Sequence, residues 1–238
     1  MASLPDETYD AIKAKILDHR ISPGEHVGID ELARELAVSQ TPVREALARL
    51  ESDGLVVKIP LRGYEATDLL SVQQFDQLFR FRGVIEPWAA AAASLRANGD
   101  DLRALRVELD RAQRIQRSSS SATAEFVEHD SRFHTLVARA SGNRWVEESF
   151  VRTHCHLHLL RVYTATFDAD GAGGSFVRSM FAEYYETGST PLALTEHRDI
   201  VSAIAAGSDE RAGELMLHHI ESSRRRFIPA LEALTPTP

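Results

Sequence analysis

Four side chains in the second half of this chain combine residue types and spacing that could hold a metal ion. Asp130 and His134 are four residues apart, so on a helix they project from the same face. Neighbouring apolar residues direct that face toward the core, where unpaired polar groups are costly. His197 and His219 each lie among apolar residues in two later segments. One carboxylate and three imidazoles from three helices could therefore converge on one divalent ion.

This donor set suits zinc first, with nickel, manganese, cobalt or iron as alternatives, whereas calcium prefers oxygen ligands. Spacing alone also allows a simpler interpretation, in which each core histidine is satisfied by a backbone carbonyl. A bound ion could belong to a sensor, activate water in a metal-dependent hydrolase or lyase, or be a purely structural metal in the bundle. No separate general-base or nucleophile motif accompanies the donor set, which favours a protein that is not an enzyme.

The segments that position these residues are predicted to be helical from residue 72 onward. Apolar residues recur at helical spacing, and short breaks rich in Gly, Ser, Asn or Pro separate the segments. The predicted helices span residues 72–97, 100–117, 121–141, 144–167, 174–187, 192–206 and 208–233. Helices with such short connections favour an all-α bundle.

The first 70 residues have a different pattern, in which three short helical segments precede a hairpin. Helices are predicted over 6–19, over 30–36, and from a cap at Ser39 or Thr41 to the stop at Asp53-Gly54. Runs rich in β-branched residues follow, over 55–59 and 64–67, with a turn between them. We therefore predict a mainly α protein with an N-terminal winged helix-turn-helix over 1–70 and an all-helical metal- and effector-binding domain over 71–238.

The third helical segment is the predicted DNA-reading helix, because the second helix of a helix-turn-helix motif enters the major groove. Its start carries four side chains suited to base edges and phosphates: Ser39, Gln40, Thr41 and Arg44. A glutamine amide pairs well with adenine, whereas an arginine contacts guanine or phosphate. This segment is therefore predicted to bind double-stranded DNA.

Four further residues complete the predicted DNA surface. Arg34 and Arg49 could steer the DNA backbone, and Arg62 and Gly63 at the wing tip could contact the minor groove or phosphates. The overall charge does not support DNA binding, since 27 basic and 35 acidic residues give a net charge of −8. DNA binding must therefore depend on where a few cations lie. The alternative is that Arg44 and Arg49 only form a solvated helix face.

Composition argues against several other classes of protein. No apolar run approaches the ~20 residues of a membrane span, and the first residues lack the basic and apolar pattern of a signal peptide. The single cysteine, Cys155, excludes an internal disulfide. We therefore expect a cytoplasmic protein with no membrane partner.

Residues 6–67 resemble the DNA-binding domain of the GntR family of bacterial regulators. The resemblance depends on an ordered series of motifs: PGE at 23–25, LAREL at 32–36, SQTPVREAL at 39–47, RL at 49–50 and GL at 54–55. It implies a repressor or activator that binds a palindromic DNA operator. Two-fold operator geometry and the family together imply a homodimer.

Residues 72–228 resemble the FCD-type effector domain of the FadR subfamily of these regulators. The matching residues are RGVIE at 82–86, DSRFH at 130–134, SGN at 141–143, EH at 196–197 and the helix around 212–220. The resemblance implies that the four candidate ligands hold a divalent metal. It also implies a small carboxylate-bearing effector near the metal, with Arg82 beside it. Arg82 could equally serve only in an ion pair with Glu86, four residues later.

Three other residues of this domain are assigned to effector binding. Asn143 belongs to the matching SGN motif, and His154 and His158 share a helix face that could line the effector cavity. His156 points elsewhere on the same segment. The alternative is that these histidines lie at the surface or between helices. The sequence therefore predicts a DNA-binding transcriptional regulator whose operator affinity is controlled by a small organic acid.

Overall fold

The computed structural model describes residues 3–115, 122–167, 172–185 and 192–234. The chain divides into two compact units, Met1–Leu69 and Leu70–Pro238. The predicted fold class is confirmed, since the first unit is a winged helix-turn-helix and the second contains helices and no strand among its described residues. The break predicted between the helices 100–117 and 121–141 lies outside the described residues.

The first unit consists of three helices and a small antiparallel sheet. Its elements are α1 (Leu4–Leu17), β1 (His26–Val27), α2 (Ile29–Glu35), α3 (Gln40–Ser52), β2 (Val56–Ile59) and β3 (Gly63–Ala66). The strand order is β1-β3-β2, with β2 and β3 forming the wing. The sequence did not predict β1, because two residues are too few for strand alternation to be recognised.

A common core holds this unit together. α1 contributes Ile12 and Ile16, while α3 contributes Val43, Leu47 and Leu50, and none of these side chains is more than 1% exposed. Burying a side chain of this size is worth about 2 kcal/mol each. The apolar face of α3 is therefore fixed against α1, which leaves its polar face directed outward.

The second unit contains eight helices among its described residues. They are α4 (Val72–Arg96), α5 (Gly99–Gln113), α6 (Ala122–Ala140), α7 (Arg144–Val151), α8 (Cys155–Ala165), α9 (Ala172–Tyr185), α10 (Leu192–Ala205) and α11 (Asp209–Leu234). The long helices α4 and α11 approach closely at Gly213, where an added Cβ would lie 3.3 Å from the backbone oxygen of Pro87. No described helix is long and apolar enough to cross a membrane.

The single helix predicted over 144–167 is wrong, because the chain breaks between α7 and α8. His154 adopts the left-handed conformation, with φ of 45°, and is the N-cap residue of α8. A histidine in this conformation is uncommon, and neither Gly nor Pro marks the position. The sequence therefore gave no breaking signal here. After the break, Cys155 and His156 are buried, whereas His154 and His158 are only half-buried.

Candidate metal centre and nucleic-acid interface

Three helices bring the four predicted ligands together in the core of the second unit, where His134, His197 and His219 form one group of close donor atoms and Asp130 forms another with His197 and His129. α6 supplies Asp130 and His134, α10 supplies His197 and α11 supplies His219. The Nε2 atom of His219 lies 3.2 Å from Nε2 of His134 and 3.3 Å from Nε2 of His197. Oδ1 of Asp130 lies 3.6 Å from Nε2 of His197. None of the four residues is more than 3% exposed.

Apolar packing fixes the rotation of these helices. Phe126, Phe133 and Val137 occupy the same side of α6 as the ligands and are almost fully buried. The Phe133 ring stacks on the His197 ring, with centroids 3.7 Å apart and planes 15° apart. The imidazole of His197 is therefore held between an aromatic face and the other donors.

The outer nitrogens of the three histidines lie close to polar partners away from the centre. Nδ1 of His134 lies 2.5 Å from Oε2 of Glu86, and Nδ1 of His219 lies 2.7 Å from Oε2 of Glu196. Nδ1 of His197 lies 3.0 Å from Nε2 of another histidine, His129. Metal-binding histidines usually have such outer partners, which fix the ring and its tautomer.

These partners make the donor set fit a cation. A proton on each outer Nδ1 leaves a lone pair on each inner Nε2, and three lone pairs together with a carboxylate repel one another. Metal–nitrogen bonds of 2.0–2.1 Å in a tetrahedron place two nitrogens about 3.4 Å apart, close to the spacing seen here. The residues present could therefore hold one divalent metal ion.

Burial favours the neutral form, which a metal requires, in two of the candidate histidines. Desolvation lowers the pKa of His134 to about 4, although the Glu86 carboxylate opposes this shift. Desolvation also lowers the pKa of His197 well below its usual range, and the neighbouring histidines add to this effect. The inner nitrogens of both rings are therefore unprotonated near neutral pH.

Arg82 lies at the edge of this cluster and is fully buried. Its Nε donates to Oε1 of Glu86 at 2.5 Å, so the alternative of an ion pair is present in the structure. Its Nη2 also lies 3.4 Å from Nε2 of His134, and its Nη1 lies 3.3 Å from Sγ of Cys155. Burial raises the pKa of Glu86, but Arg82 and then His134 outweigh that effect and the pKa falls to about 2. A permanently ionised pair therefore borders the candidate metal centre.

His156 is a member of the cluster that the sequence did not assign. Its ring stacks on that of His134 with centroids 5.2 Å apart, and its Nε2 lies 3.9 Å from Oδ2 of Asp130. The sequence also missed the outer partners Glu86, Glu196 and His129 as functional residues. Glu86 and Glu196 belong to the matching motifs RGVIE and EH, and His129 is a polar residue on a helix with apolar neighbours, but neither signal identifies a hydrogen-bond partner.

The three other predicted effector residues lie elsewhere. Asn143 is the N-cap of α7, and its side-chain oxygen accepts from the backbone N–H of Trp145 at 3.0 Å. His154 and His158 are half-buried at the start of α8, and burial, followed by the nearby Arg161, lowers the pKa of His158 to about 4. Effector binding by these residues stays a prediction.

The predicted DNA-reading helix α3 presents its polar start to solvent. Ser39, Gln40, Thr41 and Arg44 are all exposed. Nε2 of Gln40 donates to Oδ1 of Asp30 at 2.5 Å, and Oε1 of Gln40 accepts from Nη2 of Arg44 at 3.2 Å. Ser39 is the N-cap residue by backbone geometry, but its hydroxyl makes no capping bond. The hydroxyl and the first backbone N–H groups of α3 therefore remain available for phosphate contacts.

The other predicted DNA contacts differ in how strongly they are held. Arg49 is bound to α1, with Nη1 2.8 Å from Oδ1 of Asp6 and its guanidinium 4.2 Å from the centroid of the Tyr9 ring. Arg34 and Arg62 are exposed, and within the described part of the chain neither has a carboxylate at ion-pair distance. Gly63 adopts a φ of +93°, which favours glycine at the end of the wing turn.

Comparison with known protein families identifies both units. The family model for bacterial regulatory proteins of the gntR family matches residues 4–65, and the model for the FCD domain matches residues 77–222. The chain therefore belongs to the gntR family of transcriptional regulators and carries an FCD domain. Regulators of this family bind DNA operators and small-molecule effectors.

Several curated relatives match along most of their length. The chain is 26% identical over 224 residues to an uncharacterized HTH-type transcriptional regulator, YdhC, of Bacillus subtilis, covering 94% of this chain and 91% of the relative. It is 28% identical over 232 residues to a probable D-xylose utilization operon transcriptional repressor of Paenarthrobacter nicotinovorans, covering 96% and 88%. These families and relatives are regulators rather than enzymes, so they do not support the hydrolase or lyase alternative.

Solved structures show the same fold. Escherichia coli McbR/YncC matches with a TM-score of 0.63 at 20% identity, covering 94% of this chain and 96% of that one. A putative GntR regulator from Rhodococcus sp. RHA1 matches with a TM-score of 0.62 at 22% identity, covering 96% and 99%. At these identities the likeness concerns the fold alone.

Proposed function

We propose that this chain is a DNA-binding repressor of the FadR subfamily whose operator affinity is controlled by a small organic acid bound at a divalent metal. The observation that carries this proposal is the convergence of three Nε2 atoms beside the guanidinium of Arg82, with Oδ1 of Asp130 3.6 Å from Nε2 of His197. A metal and an arginine together attract a carboxylate, because both supply positive charge in a buried site.

The proposal places the effector between the metal and Arg82. A tetrahedral ion is filled by four protein ligands, whereas a five- or six-coordinate ion keeps positions for an effector carboxylate. We propose zinc first, because zinc can expand from four ligands to five. Nickel, manganese, cobalt and iron stay candidates, because they also accept more than four ligands. Arg82 has five N–H donors, and its contacts with Glu86 leave others for a second carboxylate.

The DNA partner is proposed from the exposed polar surface of α3 and the wing. Arg44 and Gln40 would contact base edges, while the first backbone N–H groups of α3, with Ser39 and Thr41, would contact phosphates. Arg34 and Arg49 would contact the DNA backbone, and Arg62 and Gly63 the minor groove. Operators read by such motifs are commonly palindromic, which fits a homodimer. Repression is proposed because one relative is described as a probable repressor, and the DNA partner places its action in the cytoplasm.

Control of DNA binding requires that the effector bind two conformations of the protein with different affinity. The carboxylate would bridge Arg82 on α4 and the metal ligands on α6, α10 and α11, so it would favour the arrangement that brings these helices closest. A change in operator affinity is the expected consequence.

A purely structural metal is the second candidate function. The presence of four protein ligands, three of them histidines with outer partners, favours it, because structural sites are closed. In that case the ion would stabilise the bundle and no metabolite would alter operator affinity.

Selection of operator sequences followed by fluorescence anisotropy tests the two candidates. The metal-loaded protein is titrated against the selected operator at two salt concentrations, with and without small mono- and dicarboxylates. The proposal expects salt-dependent binding that at least one carboxylate changes by about tenfold. Unchanged affinity with every carboxylate, together with a large loss of melting temperature on metal removal, supports the structural candidate instead. Turnover of the added acid would indicate an enzyme.

A further inference from the structure

A buried histidine beside the candidate ligands, His129, is not one of the four predicted ligands. His129 precedes Asp130 on α6 and is 1% exposed, and its ring lies between His197 and Glu108. Its Nε2 lies 3.0 Å from Nδ1 of His197, and its Nδ1 lies 3.0 Å from Oε1 of Glu108 on α5. Burying an imidazole is costly unless its nitrogens are hydrogen-bonded, and both nitrogens of His129 have a partner.

The chain of contacts continues to the surface of the unit. Nε of Arg132 donates to the same Oε1 of Glu108 at 3.0 Å, and the Arg132 side chain is 33% exposed. Burial raises the pKa of Glu108, but the hydrogen bond from His129 and the charge of Arg132 outweigh it and lower the pKa. Glu108 is therefore a carboxylate at neutral pH, able only to accept hydrogen bonds.

The acceptor at one end determines the tautomer of each neutral imidazole along the chain of contacts. Because Glu108 can only accept, Nδ1 of His129 must donate, and a neutral His129 then carries its lone pair on Nε2. That lone pair accepts from Nδ1–H of His197. The inner Nε2 of His197 is left with its lone pair directed at the other ligands, as metal binding requires.

We propose that His129 and Glu108 are positioning residues of the metal centre, which fix the ring orientation and tautomer of His197. This inference rests on the proposed metal site. His134 and His219 each meet a carboxylate directly, whereas His197 reaches its carboxylate through an intervening ring. The affinity of the centre for metal therefore depends on α5, which supplies none of the four candidate ligands.

A competing interpretation uses the same atoms. His129, Asp130 and His197 also lie close enough to hold an ion of their own. A second ion would bind the two nitrogens that now share a proton, so it would replace the hydrogen bond between the histidines. The two interpretations differ in the number of ions bound by the full chain.

Two variants of His129 separate positioning from packing. In His129→Leu the contact to His197 is lost while an apolar side chain fills the space. In His129→Gln the amide oxygen can accept from His197 and the amide N–H can donate to Glu108, so the conservative variant should rescue binding. His218→Leu is the matched control, because His218 lies on the exposed side of α11 beside a candidate ligand.

The measurement is the zinc dissociation constant of the full chain, obtained by competition with a chromophoric chelator. We expect about 10- to 100-fold weaker binding for His129→Leu, and binding within about threefold of the unmodified protein for His129→Gln and His218→Leu. Glu108→Gln, which keeps the size of the side chain, should weaken binding severalfold. It also keeps the test decisive if His129→Leu does not fold.

A spectroscopic measurement reports the tautomer of His197, which a change in packing alone does not alter. In metal-free protein labelled with ¹⁵N-histidine, the ring nitrogens of His197 should show the Nδ1–H tautomer, and His129→Leu should introduce the other tautomer. Equal zinc affinity in folded His129→Leu and the unmodified protein overturns the inference, as does binding of two ions that falls to one in His129→Gln. Failure of the unmodified protein to bind any metal instead overturns the proposed function.

Discussion

The DNA-reading surface and the candidate metal centre are supported in opposite ways. The side chains at the start of α3 are exposed, and their contacts are few, one between Gln40 and Arg44 and one between Gln40 and Asp30 on α2. The metal ligands are at most 3% exposed, and each histidine is oriented by a partner on another helix or by a neighbouring ring. Exposed side chains on α3 can adjust their conformations to bound DNA, whereas buried metal ligands must be positioned before the ion binds.

The two regions should therefore respond differently to substitution. Removing an exposed reader should change DNA affinity and little else, because its folded-state contacts are weak. Removing a buried ligand leaves polar partners without a hydrogen bond, so it should change both metal binding and stability. Substitutions at the candidate metal centre should therefore have larger effects than substitutions on the exposed surface of α3.

The largest effect is expected from the double variant His197→Ala with His219→Ala. It removes two of the four candidate ligands, from two helices, and should reduce the bound metal from about one ion per chain to less than about a tenth. Metal analysis of the purified protein measures this, with His218→Ala as the exposed control. Stoichiometric metal in the double variant would place the ion elsewhere.

The next effect concerns the pH dependence of the metal-free protein. The pKa of His134 is about 4 in the folded protein and 6.5 in the unfolded chain, so the unfolded chain takes up the proton first as the pH falls. The free energy of unfolding should therefore be highest above pH 6.5 and decrease between pH 6.5 and about 4, by about 3 kcal/mol from this group alone.

Urea unfolding of the metal-stripped protein at a series of pH values measures this decrease. His134→Leu lacks the titrating ring and should show a correspondingly shallower slope. A free energy of unfolding that stays constant from pH 7 to 4.5 would contradict the neutral, buried state of the ring.

A smaller effect is expected from Arg44→Ala in the DNA-reading helix. Loss of a base or phosphate contact should weaken binding to the selected operator by about 10- to 100-fold, while the melting temperature stays within about 1 °C. Arg20→Ala is a suitable control, because Arg20 is an exposed arginine outside α3 and the wing. Unchanged operator affinity would mean that Arg44 only belongs to a solvated face.

The smallest effect is expected from Arg49→Gln. In the DNA-free structure this guanidinium is already bound to Asp6 and stacked on Tyr9, so it must give up those contacts to reach a phosphate. We expect operator affinity to fall by about threefold, with a weaker salt dependence. Anisotropy titrations at several salt concentrations check this, and a loss as large as that of Arg44→Ala would place Arg49 among the direct readers.

Much of the fold could be predicted because its signals are local. Helical periodicity and start residues located α4, α5, α6, α10 and α11 to within a few residues, and the change from helical to strand pattern located the wing. The break before α8 could not be predicted, because His154 is held in a left-handed conformation that its residue type does not favour. Strand β1 forms only through pairing with β3.

The sequence by itself determined which residues have the types and spacing that the proposed chemistry requires: a polar set at the start of α3, and Asp130, His134 and two later histidines with the residue types of metal ligands. Local spacing is enough for this, since it decides which side chains share one helix face. Only the tertiary structure decided the partners, by placing Glu86, Glu196 and His129 against the outer ring nitrogens. These contacts join helices far apart in the chain, and their geometry depends on the packing of the whole bundle.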